Sequence, residues 1–142
     1  MNNRVDAPLE VLCIENDEAS LVLLRALFKL RPHLELHLAR DGVEATQLAA
    51  GLKPALVLVA GQLPDCGGGE LVALLRRRYG WGSVPVVAMS RRSRLHNDSV
   101  FRDVWDTPLD ARLALSFLDR WLPPPNRAPD SRTPAGVQLL PR

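Results

Sequence analysis

Apolar and polar positions change period several times along the chain, and the changes divide it into alternating elements. Leu9 to Ile14 (LEVLCI) is a short apolar run, which predicts a buried strand. Asp17 then offers an N-cap for a helix from about Glu18 to Leu30, with Leu21, Leu24, Leu27 and Phe28 on one broad apolar face. Arg31-Pro32 ends it, because the residue before a proline avoids the helical region. In HLELHLAR the period drops to two. Leu34, Leu36 and Leu38 alternate with His33, Glu35 and His37, the pattern of a strand with one buried and one wet face, most naturally an edge. Asp41-Gly42-Val43-Glu44 has the form of a capping box and predicts a helix through Leu48 and Ala49 to Gly51.

Ala55 to Ala60 is apolar without alternation, which predicts a strand covered on both faces and therefore central. It runs into the glycine-rich loop GQLPDCGGG, after which Glu70 to Tyr79 reads as a helix stopped by Gly80. Val84 to Met89 is a fourth strand, and Val104 to Asp106 a brief fifth. Between them, Arg91 to Asp103 is polar and weakly periodic, the pattern of a short or irregular helix. Asp110 caps a last helix whose Ala114, Phe117, Leu118 and Trp121 form a buried stripe. From Pro123 onward periodicity ends, and six of the last twenty residues are proline. The expected organisation is an extension over 1–8, one domain over 9–122 and a proline-rich, disordered tail over 123–142.

Strand and helix alternate five times with short connections. Right-handed crossovers then build a parallel sheet with helices on both faces, a single doubly wound (βα)5 domain of the α/β class. An edge-type second strand and a central third strand suit the flavodoxin-like order 2-1-3-4-5, whose switch point lies between strands 1 and 3. Beside it fall Glu15, Asn16, Asp17, Ala60 and Gly61, with Ser90 and Thr107 from strands 4 and 5. A function is expected there.

Composition narrows the picture only a little. At 142 residues, 46% hydrophobic and 24% charged, the chain is an ordinary soluble domain. A net charge of +2 does not argue for nucleic acid, and of 18 basic residues only Lys29 and Lys53 are lysines. Cys13 and Cys66 do not make a disulfide framework. No signal peptide or run of about 18 apolar residues is evident, so a cytoplasmic location and no membrane span are expected.

In this order and spacing the segments resemble the receiver domain of bacterial response regulators and hybrid kinases, the CheY-like family, over about residues 9 to 122. VLCIENDEASLVLLRALF is similar to the family's first strand, acidic pair and first helix. ARDGVEATQLA is similar to the entry into its second helix, and PALVLVAGQLPDCGGGELVALLR to its third strand, Leu-Pro-Asp loop and third helix. VPVVAMS matches a fourth strand ending in Ser or Thr, and TPLD the Lys-Pro-Leu turn. The resemblance implies phosphoryl transfer to an aspartate at the end of strand 3. Two acids after strand 1 hold Mg²⁺, and a hydroxyl and a lysine bind the phosphoryl group.

Carried over residue by residue, Glu15 keeps one acidic position, the second falls on Asn16, and Asp17 is displaced by one. The nucleophile position falls on Ala60. Ser90 keeps the hydroxyl, Thr107 takes the lysine position before Pro108 (often cis in the family), and the aromatic switch position falls on Val104. Asp65 stands in the loop, where the family carries an aspartate with no nucleophilic role. An alanine cannot attack phosphorus, so the expected protein is a degenerate pseudo-receiver and not an enzyme. Mg²⁺ binding is expected to be weak or absent, with no other cofactor, since two carboxylates of the set are gone. The implied role is phosphorylation-independent protein contact in two-component signalling, with a histidine kinase, phosphotransfer protein or other signalling protein as partner. The alternative is a small-ligand module using the emptied cleft. Neither reading involves nucleic acid or membrane.

Other features carry sharper readings beside plainer ones. Glu15 and Asp17 are a residual metal pair or a vestige and a helix cap. His33, Glu35 and His37 are a chelating strand face or simply a wet edge. Cys66 is exposed, with nothing nearby in sequence to lower its pKa. Arg76, Arg77 and Arg78 suit a helix C-terminus or, like the next cluster, an acidic partner. Arg91, Arg92 and Arg94, with Trp105, make a candidate partner surface. Finally, the stretch from Ser90 to Pro108 is about one helical turn shorter than receivers usually have.

Overall fold

In the computed structural model of the chain, residues 7–91 and 100–125 are described. Strand β1 (Leu9–Ile14) leads through helix α1 (Glu18–Lys29) to β2 (Leu34–Ala39), and α2 (Gly42–Ala49) leads to β3 (Leu56–Ala60). Helix α3 (Gly68–Tyr79) precedes β4 (Val86–Met89), and β5 (Asp103–Trp105) is followed by α4 (Ala111–Trp121). All strands pair in parallel in the order β2-β1-β3-β4-β5. The doubly wound α/β sheet with order 2-1-3-4-5 is therefore the architecture of the chain, with β2 at an edge and β3 central.

Two apolar layers sandwich the sheet. Leu24, Leu27 and Phe28 of α1 and Ala114, Phe117 and Leu118 of α4 pack with Val11, Cys13, Leu56 and Leu58 on one side. Ala45 and Ala49 of α2 and Leu71, Val72 and Leu75 of α3 pack with Leu12, Ile14, Val57 and Val59 on the other. Alternate residues of β1 and β3 thus feed opposite layers, which is why both strands read as unbroken apolar runs. Strand β2 keeps Leu34 buried and Glu35 exposed, but Leu36, His37 and Leu38 are all half-buried, so its alternation is softer than the sequence pattern. Trp121 is half-buried and stacks on Phe117 at 4.6 Å between ring centroids.

Most element boundaries fall within two residues of the sequence expectation. Strand β4 starts at Val86 rather than Val84, because Pro85 has no amide hydrogen to give to the ladder. Helix α3 starts earlier, at Gly68. There the backbone approaches the end of β3 so closely that a Cβ on Gly68 would lie 2.0 Å from the Ala60 carbonyl oxygen. Only glycine fits, and its amide donates to the Gly61 carbonyl at 3.0 Å. Gly80 closes the helix in the left-handed region, φ 72°. Arg92, Arg94, the bulk of the stretch expected to form a short or irregular helix and most of the proline-rich tail lie outside the described residues.

Candidate functional site at the carboxyl ends of the strands

Because β1 and β3 are neighbours whose following helices depart to opposite faces, a cleft opens above their carboxyl ends. A cavity of about 630 Å³ occupies it, lined by Glu15, Asp17, Ala60, Ser90, Arg91 and Thr107 together with Ser20, Gly61, Gln62 and Met89. Five of the six side chains named first were placed at the switch point by sequence. The sixth, Arg91, was read as outer partner surface. It follows Ser90 directly and so brings a cation to the cleft.

Both acids that line the cleft are engaged by local backbone. Glu15 is buried, 6% exposed, and its Oε2 accepts from the amides of Asn16 and Asp17, both at 2.9 Å. Burial pushes its carboxyl above the ordinary range, against the pull of those two amides. Asp17 is exposed, and its Oδ2 accepts from the Ser20 amide at 2.9 Å as the N-cap of α1. That bond and a second from the Ser20 hydroxyl hold its carboxyl below the usual value. Asn16 is exposed and contributes its amide to Glu15.

Ala60 ends β3 buried at 5% exposure, and its methyl group has neither acid nor base function. Asp65, five residues on, does not turn back toward it. Its carboxylate accepts from the amides of Gly42 (2.8 Å) and Val43 (3.1 Å), the first turn of α2. Those amides, Gly42 first, depress its pKa. This second cap on α2 escaped sequence reading because it joins residues 23 apart. Asp41 supplies the nearer cap, accepting from Glu44, while Glu44 accepts in return from Arg40 at 2.7 Å, one residue earlier than the standard capping box.

Cys66 is half-buried rather than exposed, and burial, with Asp65 beside it, pushes its thiol up to about 11. It is thus poorly suited to nucleophilic or redox work. The Thr107–Pro108 peptide is cis. Pro108 lines not the cleft but a neighbouring groove of about 460 Å³ along β5 and α4, which it shares with Val104 and Trp105. Trp105 is half-buried there, edge-on to Phe117 at 5.2 Å. The strand-face trio also regroups. His33 Nε2 lies 2.7 Å from the Leu122 carbonyl, and Glu10 of β1 joins Glu35 and His37 in its place.

The fold and its cleft define a class: a doubly wound parallel α/β domain with its site at the switch point between β1 and β3. The model of the response regulator receiver domain matches residues 11–101, and the chain belongs to that family. It is 31% identical over 83 residues to the polar-differentiation response regulator DivK of Brucella anthropi, across 58% of this chain and 67% of that protein. Among solved structures it resembles the signal receiver domain of an HD domain-containing protein from Pseudomonas fluorescens, at 27% identity and TM-score 0.72 over 85% of this chain and 91% of that one. It also shares the fold of the receiver domain of a sensor histidine kinase from Pseudomonas aeruginosa, which carries a magnesium ion in its active-site cleft. That match has 21% identity and TM-score 0.70, over 81% of this chain and 98% of the other. Among the described residues no helix is long and apolar enough to cross a membrane.

Proposed function

We propose that this receiver domain is a pseudo-receiver, which takes no phosphoryl group on aspartate and works in two-component signalling through phosphorylation-independent protein contact. One observation carries the reading: the carboxyl end of β3 is Ala60, and the carboxylates of both nearby aspartates, Asp17 and Asp65, are engaged as helix caps. The donor set also fits Mg²⁺ poorly. Glu15 and Asp17 remain of the acids, and each has an oxygen engaged by backbone amides, so binding of the ion is weak. The partner is a signalling protein, such as a histidine kinase or a phosphotransfer protein, and the module is not an enzyme.

Amide NMR spectra with and without Mg²⁺ and beryllofluoride test this, alongside intact mass after incubation with acetyl phosphate. The expected result is an unmoved spectrum and an unmodified mass. An added phosphoryl group on an acidic side chain would overturn the reading.

The cleft itself favours a second reading, as a small-ligand site. Arg91 and Ser90 beside an emptied Ala60 present one cation and one hydroxyl to an anionic group. Saturable shifts around Glu15, Asp17 and Ser90 with beryllofluoride, without covalent modification, would favour it over protein contact alone.

A further inference from the structure

Strands β1 and β2 bring a separate set of metal-type ligands together at the amino end of the sheet, opposite the cleft. Glu10 and Glu35 are register partners in the parallel pair, so their side chains leave the same face. His37, two residues beyond Glu35, shares that face. One ligand atom from each of the three lies within 4.8 Å of the other two. His37 Nε2 and Glu35 Oε2 are 3.7 Å apart. Two donors on a tetrahedral ion with bonds of about 2.1 Å stand about 3.4 Å apart, so small side-chain rotations close the set.

A second observation points to a ligand. His37 Nε2 is shut off from solvent and has no hydrogen-bond partner. As a neutral ring nitrogen it is either an unmet donor or an unmet lone pair, and burying either is costly. A cation satisfies the lone pair directly. The Lys53 amide donates to Glu10 Oε1 at 2.8 Å, which holds that carboxylate beside the other two side chains. Glu35 is exposed, which gives an ion a route in and water a place to complete its coordination.

We propose that Glu10, Glu35 and His37 form a site for a divalent transition-metal ion of the zinc type. One imidazole with two carboxylates suits such an ion better than Mg²⁺, which prefers oxygen ligands and keeps its water. When bound, the ion ties edge strand β2 to β1 and, through Glu10, to the segment that follows α2. The site stands apart from the cleft and does not depend on the reading given to it.

The test is calorimetric titration of the full chain with Zn²⁺ after chelator treatment, with melting temperature read in parallel and Mg²⁺ as the comparison ion. The expected result is one saturable equivalent of Zn²⁺, a rise in melting temperature that Mg²⁺ does not reproduce, and Zn²⁺-dependent shifts of the His37 ring resonances. Glu35→Gln, at an exposed position that leaves the fold intact, and His37→Gln each weaken binding at least about tenfold. His33→Gln and Cys66→Ser bind as the parent does. Absence of saturable binding, undiminished binding in Glu35→Gln, or loss in Cys66→Ser in place of Glu35→Gln would overturn the proposal.

Discussion

The two ends of the sheet treat their charged side chains in opposite ways. At the carboxyl end Glu15, Asp17 and Asp65 each accept from backbone amides. At the amino end a buried histidine nitrogen has no hydrogen-bond partner, although two carboxylates stand beside it. The cause lies in the winding. In a parallel βα repeat the helix N-termini gather at the carboxyl ends of the strands, so acids placed there find unpaired N–H groups and a favourable dipole. The helix C-termini gather at the amino ends and offer carbonyls, so Glu10 is met there by a loop amide, that of Lys53, and not by a helix start. The place where the family does its chemistry and the place where this chain leaves a polar atom unmet are therefore different.

Substitutions at the carboxyl end can break that contrast, and the largest effect is expected from Gly68→Ala. The added Cβ would meet the Ala60 carbonyl at 2.0 Å, so the first turn of α3 must leave the end of β3. We expect a loss of more than about 3 kcal/mol in urea denaturation. An unshifted midpoint would show that this end of the sheet yields more easily than its packing implies.

Ala60→Asp comes next, because it returns a carboxylate to a buried position near Glu15, whose pKa burial already raises. Without Mg²⁺ the variant should lose about 1–3 kcal/mol, and millimolar Mg²⁺ should recover part of it, read as melting temperature with and without the ion. Equal loss in both conditions would mean that Glu15 and Asp17 remain unavailable even with a third acid beside them.

A smaller loss is expected from Asp65→Ala, which removes the second cap on α2 and leaves that of Asp41. Asp65 has a depressed folded pKa, so its contribution is present above the unfolded carboxylate value of about 3.9 and is lost as pH falls through the folded one. Urea midpoints of parent and variant should therefore stay apart at neutral pH and converge in acid. A gap that persists in acid would show that the contribution does not come from the carboxylate.

The smallest effect has the opposite sign. Glu15 has a raised folded pKa, so the stability it contributes is present below about 4.3 and is lost as pH rises through the raised value. Glu15→Gln removes that buried charge and keeps an oxygen for the two amides. It should stabilise by about 1 kcal/mol or less at neutral pH, with the gain vanishing in acid. Destabilisation at neutral pH would mean that the charge itself is needed at the cleft.

Much of this molecule is legible in single-element patterns. The unbroken run Ala55 to Ala60 announced a central strand, and the two-residue alternation after His33 announced an edge. The caps at Asp17, Asp41 and Asp110 could be read from side-chain type and position alone. The cleft was legible only as an address. Strand ends locate Glu15, Ala60, Ser90 and Thr107, but nothing in the order of residues says that Arg91 faces inward or that Asp65 faces away.

By itself, the sequence determined the βα alternation, the order of strands and the alanine at the end of the third. The alternation follows from periodicity and short-range hydrogen bonding, and the order from which strands read as edge or central together with right-handed crossovers. Only the tertiary structure decided that Asp65 reaches the start of α2, that His33 turns to the Leu122 carbonyl 89 residues away, and that Glu10 takes its place beside Glu35 and His37. Each of these contacts depends on strand register and loop path, and both are settled when the two apolar layers close on the sheet, not by any neighbour in sequence.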